Sequence, residues 1–128
     1  MNHLLDANAL LAWHHPGSPH HAAFHAWVKR VGRATLRTCA LTELAFVRVS
    51  MQAFGYTLAQ AQQALAATKA QVGGFVAAAP SPMLPAWASA PHKTTDAWLC
   101  QLASAHDLQL ATFDTGIKDP AALHIPVR

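Results

Sequence analysis

The chain has 128 residues, enough for one domain (residues 1–128) with a single core and too few for two. Apolar residues make up 52% of it and charged residues 12%, about half the usual charged share of ~25%, which excludes a disordered chain and makes each carboxylate worth locating. The formal charge of +3 and pI near 9.2 are compatible with an anionic partner such as nucleic acid, although many inert proteins share such values.

His3 to Leu5 is a short apolar run ending at Asp6, the pattern of a strand and turn. Met1-Asn2-His3 has neither the basic start nor the long apolar run of a signal peptide. No segment reaches ~18 uninterrupted apolar residues, so no membrane span is expected and the cytoplasm is the expected location. Ala9 to Trp13 suggests a helix stopped by Pro16-Gly17-Ser18-Pro19. A second helix, His20 to Val31, carries Ala23 and Trp27 on one face and ends at Gly32. Ala34 to Cys39 reads as a strand. Thr42 to Phe54 reads as a helix terminated by Gly55, and Thr57 caps a further helix through Gln71. Gly73 to His92, with four prolines and two glycines, is a loop region with a short strand placed near Met83 to Pro85. Thr94 or Thr95 caps a helix reaching about His106, Leu108 to Thr112 is a strand, and Ile125 to Val127 is placed as the last one. Strands alternating with helices predict an α/β fold with a parallel sheet covered on both faces.

Sites in such sheets form beyond the carboxyl ends of the strands. Asp6 follows the first strand and Asp114 follows the strand ending at Thr112. Glu43 and Asp96 lie in the first turns of their helices. Four of the six acids thus fall near one sheet edge, while Asp107 and Asp119 look like turn residues. Asp96 shares a helix face with Leu99, Cys100 and Ala103, and Glu43 with Phe46, Val47 and Ser50, so both project from apolar stripes. An unpaired buried carboxylate costs several kcal/mol, and a helix N-terminus returns only about 0.3–1 kcal/mol. With few lysines or arginines placed to pair with these acids, a divalent cation is the simpler remedy. Carboxylates without histidine or thiolate favour a hard ion, Mg²⁺ or Mn²⁺. Asp6 and Asp96 are the expected direct ligands, and Glu43 and Asp114 are expected to complete the acidic pocket, either by orienting those ligands or by holding a second ion. Asn8 and Thr112 are placed to hydrogen-bond the carboxylates or a scissile phosphate.

These elements resemble the PIN domain, and in particular the VapC toxins of bacterial toxin–antitoxin pairs. The resemblance spans nearly the whole chain and rests on five segments in order. They are Leu4-Leu5-Asp6-Ala7-Asn8, then Pro19-His20-His21-Ala22-Ala23, then Leu41-Thr42-Glu43-Leu44, then Thr94-Thr95-Asp96-Ala97-Trp98-Leu99, and finally Leu110-Ala111-Thr112-Phe113-Asp114. The resemblance implies a three-layer α/β/α sandwich with a mostly parallel central sheet. It also implies Mg²⁺-dependent endoribonuclease activity, inhibition by a cognate VapB-like antitoxin and homodimerisation. The antitoxin is expected to cover an apolar groove and to set a basic side chain against the acidic pocket. One departure follows Asp114: many relatives carry a basic residue and then an aromatic, whereas Thr115-Gly116-Ile117 stands here.

The rival readings are weaker. An aspartyl-phosphate enzyme built on Asp6 needs a second Asp two residues later, where Asn8 stands. A non-catalytic RNA- or protein-binding module gains nothing from buried negative charge beside phosphate. His21 and His25 share a helix face, but a zinc site needs further ligands that no spacing supplies. Cys39 and Cys100 lack any metal-binding spacing and read as reduced core residues. The four tryptophans read as core or interface anchors, and Lys29, Arg30, Lys93 and Lys118 as solvated surface.

Overall fold

The computed structural model describes residues 1–127. Its elements in chain order are β1 (Asn2–Leu5), α1 (Ala7–His14), α2 (His21–Val31), β2 (Leu36–Cys39) and α3 (Ala40–Phe54). They are followed by α4 (Leu58–Lys69), β3 (Gly74–Val76), α5 (Thr94–Ala105), β4 (Leu108–Thr112) and β5 (Ala122–His124). All five strands pair in parallel, in the order β3-β2-β1-β4-β5. The chain therefore builds outward from β1 in one direction, then crosses back to begin the other side with β4.

The alternation of side chains along a strand sorts the core into two layers. Leu5, Leu36 and Ala111 face one side and meet Leu10, Phe24, Trp27 and Phe46 of α1, α2 and α3. Leu4, Leu108 and Leu110 face the other side, against Leu99, Leu102 and Ala103 of α5. Helices thus cover both faces of the sheet, giving the three-layer α/β/α arrangement. No helix among the described residues is long and apolar enough to cross a membrane.

Two strands lie elsewhere than the sequence pattern suggests. The segment Met83–Pro85 is not a strand. Pro82 and Pro85 remove backbone donors, and the rest of this stretch bonds to α5: Gln101 accepts from the Met83 amide (3.0 Å) and donates to the Ser81 carbonyl (2.9 Å), and the Trp98 indole donates to the Pro80 carbonyl (3.1 Å). The edge strand is Gly74–Val76 instead, registered so that Arg37 faces Gly74. The glycines that read as loop punctuation are what admits it. A Cβ on Gly73 would collide with the Ala34 carbonyl oxygen, and one on Gly74 would stand 3.1 Å from Arg37 Cδ. The last strand is Ala122–His124 rather than Ile125–Val127. Ile125 still donates to the Thr112 carbonyl (2.9 Å), but Pro126 has no N–H to continue the ladder.

Helix ends follow the sequence signals in most cases. Gly55 takes the left-handed conformation (φ 68°) after α3, and Thr57 and Gln60 form a reciprocal capping box on α4. Helix α5 differs: Lys93 is its N-cap residue without a side-chain cap, and the Thr94 hydroxyl donates back to the Pro91 carbonyl (2.8 Å).

Gly73→Ala is expected to lower stability by about 1–3 kcal/mol, the usual cost of forcing extra volume into a tight contact, measured by urea unfolding. Unchanged stability would mean that the close approach of β3 to β2 is not maintained in solution.

Candidate active site

Strand β1 pairs with β4 so that Leu5 lies opposite Ala111, and one step further Asp6 reaches Thr112. This is where the strand order reverses, the place at which open parallel sheets carry their ligands. Asp6 is buried and caps α1: its Oδ1 accepts from the Ala7 amide (2.8 Å) and its Oδ2 from the Thr112 hydroxyl (2.8 Å). The Thr112 oxygen also accepts from Asn8 Nδ2 (3.1 Å) and from the Asp114 amide (3.0 Å). One donor and two acceptor positions exhaust a hydroxyl, so Thr112, itself fully buried, is a saturated hub. Asn8 Oδ1 accepts from the Phe113 amide (3.1 Å), tying α1 to the chain leaving β4. Asp114 is exposed and turns its Oδ1 onto the Gly116 amide (2.8 Å).

Asp96, half-buried in the first turn of α5, faces this assembly. Its carboxyl is pushed up to about 6, first by burial and then by the charges of Asp6 and Asp114, with His92 acting in the opposite direction. Asp6 is also raised. Burial is the main cause, Asp114 adds to it, and the hydrogen bonds from Thr112 and Ala7 resist it. Negative charge from Asp114 thus acts on both Asp6 and Asp96, and that from Asp6 acts on Asp96 as well.

Glu43 stands apart. Its Oε2 accepts from the Thr38 hydroxyl (2.6 Å), and its Oε1 is 3.1 Å from Lys69 Nζ, which also lies 4.9 Å from the Phe75 ring centre. It is buried, yet its charge is not among those that shift Asp6 or Asp96. The expectation that few basic residues reach these acids thus fails at Glu43. Lys69 comes from the far end of α4, 26 positions along, and nothing in the local sequence pattern marks that contact.

Between α3 and α5 lies a cleft of about 250 Å³ whose walls include Asp6, Ala7, Thr95 and Asp96 on one side and Leu44 and Arg48 on the other. Glu43 does not line it. Sequence reasoning missed Arg48; the available signal was its spacing from Leu41 and Leu44, seven and four residues earlier on the same helix face. Among the described residues, no three His, Cys, Asp or Glu side chains gather closely enough to enclose a metal ion by themselves. The donor set still suits a hard cation. Asp6 and Asp96 are carboxylates whose ionisation is opposed first by burial and then by neighbouring negative charge, and Mg²⁺ commonly binds through one or two carboxylates while keeping water in its other positions.

His15, His21 and His25 serve packing. His21 Nδ1 and His25 Nε2 meet the carbonyls of Ala12 (2.7 Å) and Trp13 (2.9 Å), and His15 bonds Ser50 (2.8 Å) while stacking on Phe54. Trp13 and Trp27 are core residues; the Trp87 indole donates to Asp119 (2.9 Å). Cys39 and Cys100 are free and buried.

An α/β/α sandwich with acids at the switch point defines a class, and residues 3–123 match the model of the PIN domain. The chain belongs to the PIN-domain family. Within it, the chain is similar to VapC-type members of Mycobacterium tuberculosis. It is 36% identical to Ribonuclease VapC38 of strain H37Rv, over 89% of this chain and 86% of that protein. It is 30% identical to Ribonuclease VapC39, over 95% of both chains, in strains CDC 1551 and H37Rv alike.

The raised Asp96 carboxyl has a definite consequence for stability. The folded chain holds this proton up to about pH 6, whereas the ordinary value is 3.8. Ionisation thus opposes folding: the contribution is fully present below the unfolded value, declines as pH rises between the two, and is gone above the folded one. In EDTA, the melting temperature of the protein is expected to fall relative to Asp96→Asn across that window. Parallel melting curves from pH 4 to 7 would show that folding does not raise the Asp96 carboxyl.

Proposed function

We propose that this chain is a divalent-metal-dependent endoribonuclease and the toxin of a VapBC-type pair. The reading rests on one observation above others: in a PIN-domain chain with ribonuclease-named relatives, Asp6 and Asp96 line one cleft at the sheet's switch point, and the charge of Asp114 acts on both.

Asp6 and Asp96 would hold the ion, Mg²⁺ with Mn²⁺ as a substitute. When bound, it supplies the positive charge that polarises a water and offsets charge on the phosphate. Asp6 is well prepared for this role, since Thr112 and Ala7 fix both of its oxygens and spare it any rearrangement. Asp96 must give up its proton first, which favours activity above pH 6. Asp114, exposed at the rim, adds negative charge on the solvent side, and Asn8 and Thr112 lock the two strand ends together. Glu43 acts from behind: its bonds to Thr38 and Lys69 join β2, α3 and α4 beneath the cleft.

The cleft's size bears on the substrate. At about 250 Å³ it has room for a hydrated ion and a phosphate group.

Next to the cleft is an apolar groove of about 560 Å³ lined by residues that include Leu41, Leu44, Leu84 and Trp98. Leu41, Leu44 and Thr95 belong to both depressions. An antitoxin segment laid in the groove would have its next side chains at the acids, so that an apolar stretch with an adjoining basic residue suits both. Leu44 and Met51, exposed one face along α3, offer apolar surface for a homodimer.

Purified protein incubated with total RNA and Mg²⁺ is expected to give discrete fragments, abolished by EDTA and reduced at least about a hundredfold by Asp96→Asn. Sequencing the fragment ends would identify the target. A folded, metal-binding protein that leaves all RNA intact would instead be a binding module.

A further inference from the structure

Arg48 is the one cationic side chain among the described residues lining the acidic cleft. It is exposed, and among those residues it makes no ion pair and no side-chain hydrogen bond. This is unusual for an arginine in sight of several carboxylates. Lys69 is taken by Glu43, and the cation whose charge registers on Asp96 is His92, not Arg48. Arg48 thus stands on the wall of the cleft opposite Asp6 and Asp96 and forms no ion pair with either. Two turns of α3 separate it from Leu41 at the cleft's other end, about 10 Å along the helix axis.

Charge explains why such a residue is useful. A cleft built from Asp6 and Asp96, with Asp114 at its rim, repels a polyanion approaching it, and a metal ion answers for one phosphate only. A neighbouring phosphate needs its own counter-charge. A guanidinium offers forked donors matched to phosphate oxygens, and one that has no protein partner loses no ion pair on engaging it.

We propose that Arg48 is a substrate-binding residue that contacts a backbone phosphate of single-stranded RNA flanking the one at the carboxylates. This inference deepens the ribonuclease reading and rests on it for the identity of the substrate. The contact fixes the register of the strand in the cleft and carries no base information.

The test measures binding and cleavage separately. Fluorescence anisotropy with a labelled mixed-sequence RNA oligonucleotide, in the Asp96→Asn background, gives affinity over a range of salt concentrations. Arg48→Ala is expected to weaken binding on the order of tenfold and to reduce the slope of log K against log [salt] by about 0.7, the value for one phosphate contact on a single strand. Arg48→Lys should restore the slope with only part of the affinity. Arg30→Ala, which removes the same charge from an exposed position on α2, should leave the slope nearly unchanged. Thermal melts establish that each variant is folded. A slope unaltered by Arg48→Ala, or altered equally by Arg30→Ala, overturns the inference and makes Arg48 a solvated surface residue. In the Asp96-intact protein, Arg48→Ala should raise KM more than it lowers kcat. If that protein cleaves no RNA while the Arg48 slope effect persists, the ribonuclease reading fails and the phosphate contact stands.

Discussion

The juxtaposition of Asp6 with Thr112 governs this molecule. It arises because β1 and β4, far apart in sequence, pair in parallel in a register that continues one residue past Leu5 and Ala111. At that point a hydroxyl with three hydrogen-bonding capacities meets a carboxylate, an amide side chain and a backbone N–H, and satisfies all of them. The arrangement makes a buried Asp6 tolerable without neutralising it. Hydrogen bonds hold its oxygens in place, while burial and Asp114 still raise its proton affinity. A site that is geometrically fixed and electrostatically unresolved is suited to receive a cation.

The two sides of the sheet divide the work. The face covered by α1 to α4 carries the larger aromatic core, including Phe24, Trp27 and Phe46. On the other face α5 alone brings Asp96 up to the strand ends, and the proline-rich segment before it closes the layer through hydrogen bonds from Trp98 and Gln101. The acidic cleft opens between α3 and α5, so it draws its walls from both layers. The apolar groove that adjoins it depends on that same proline-rich segment, since Leu84 faces Leu44 and Trp98 across it.

Glu43 illustrates how a residue can match a motif and hold a different position from its companions. Its place at the start of α3 follows from the sequence, whereas its hydrogen bond from Thr38 and its ion pair with Lys69 do not. The charge it would have added to the acidic set is offset by one ammonium. Arg48, about a turn and a half further along α3, lines the cleft from another face of the same helix.

The sequence by itself determined the α/β class, the helices from His20 onward within a residue or two, and the placing of Asp6, Asp96 and Asp114 near one edge. These follow from local causes: apolar periodicity, glycine after helix ends, and acids directly after strands or in first helical turns. It also marked Asn8 and Thr112 as polar residues beside those acids. Tertiary structure decided the rest. Whether Gly73 and Gly74 form a loop or an edge strand depends on how closely they approach Ala34 and Arg37. Whether Glu43 belongs with the other carboxylates depends on a lysine from another helix, and Arg48 becomes a wall of the site only once α3 packs opposite α5. Such contacts join residues distant in the chain, and no local pattern carries the strand register and helix packing that bring them together.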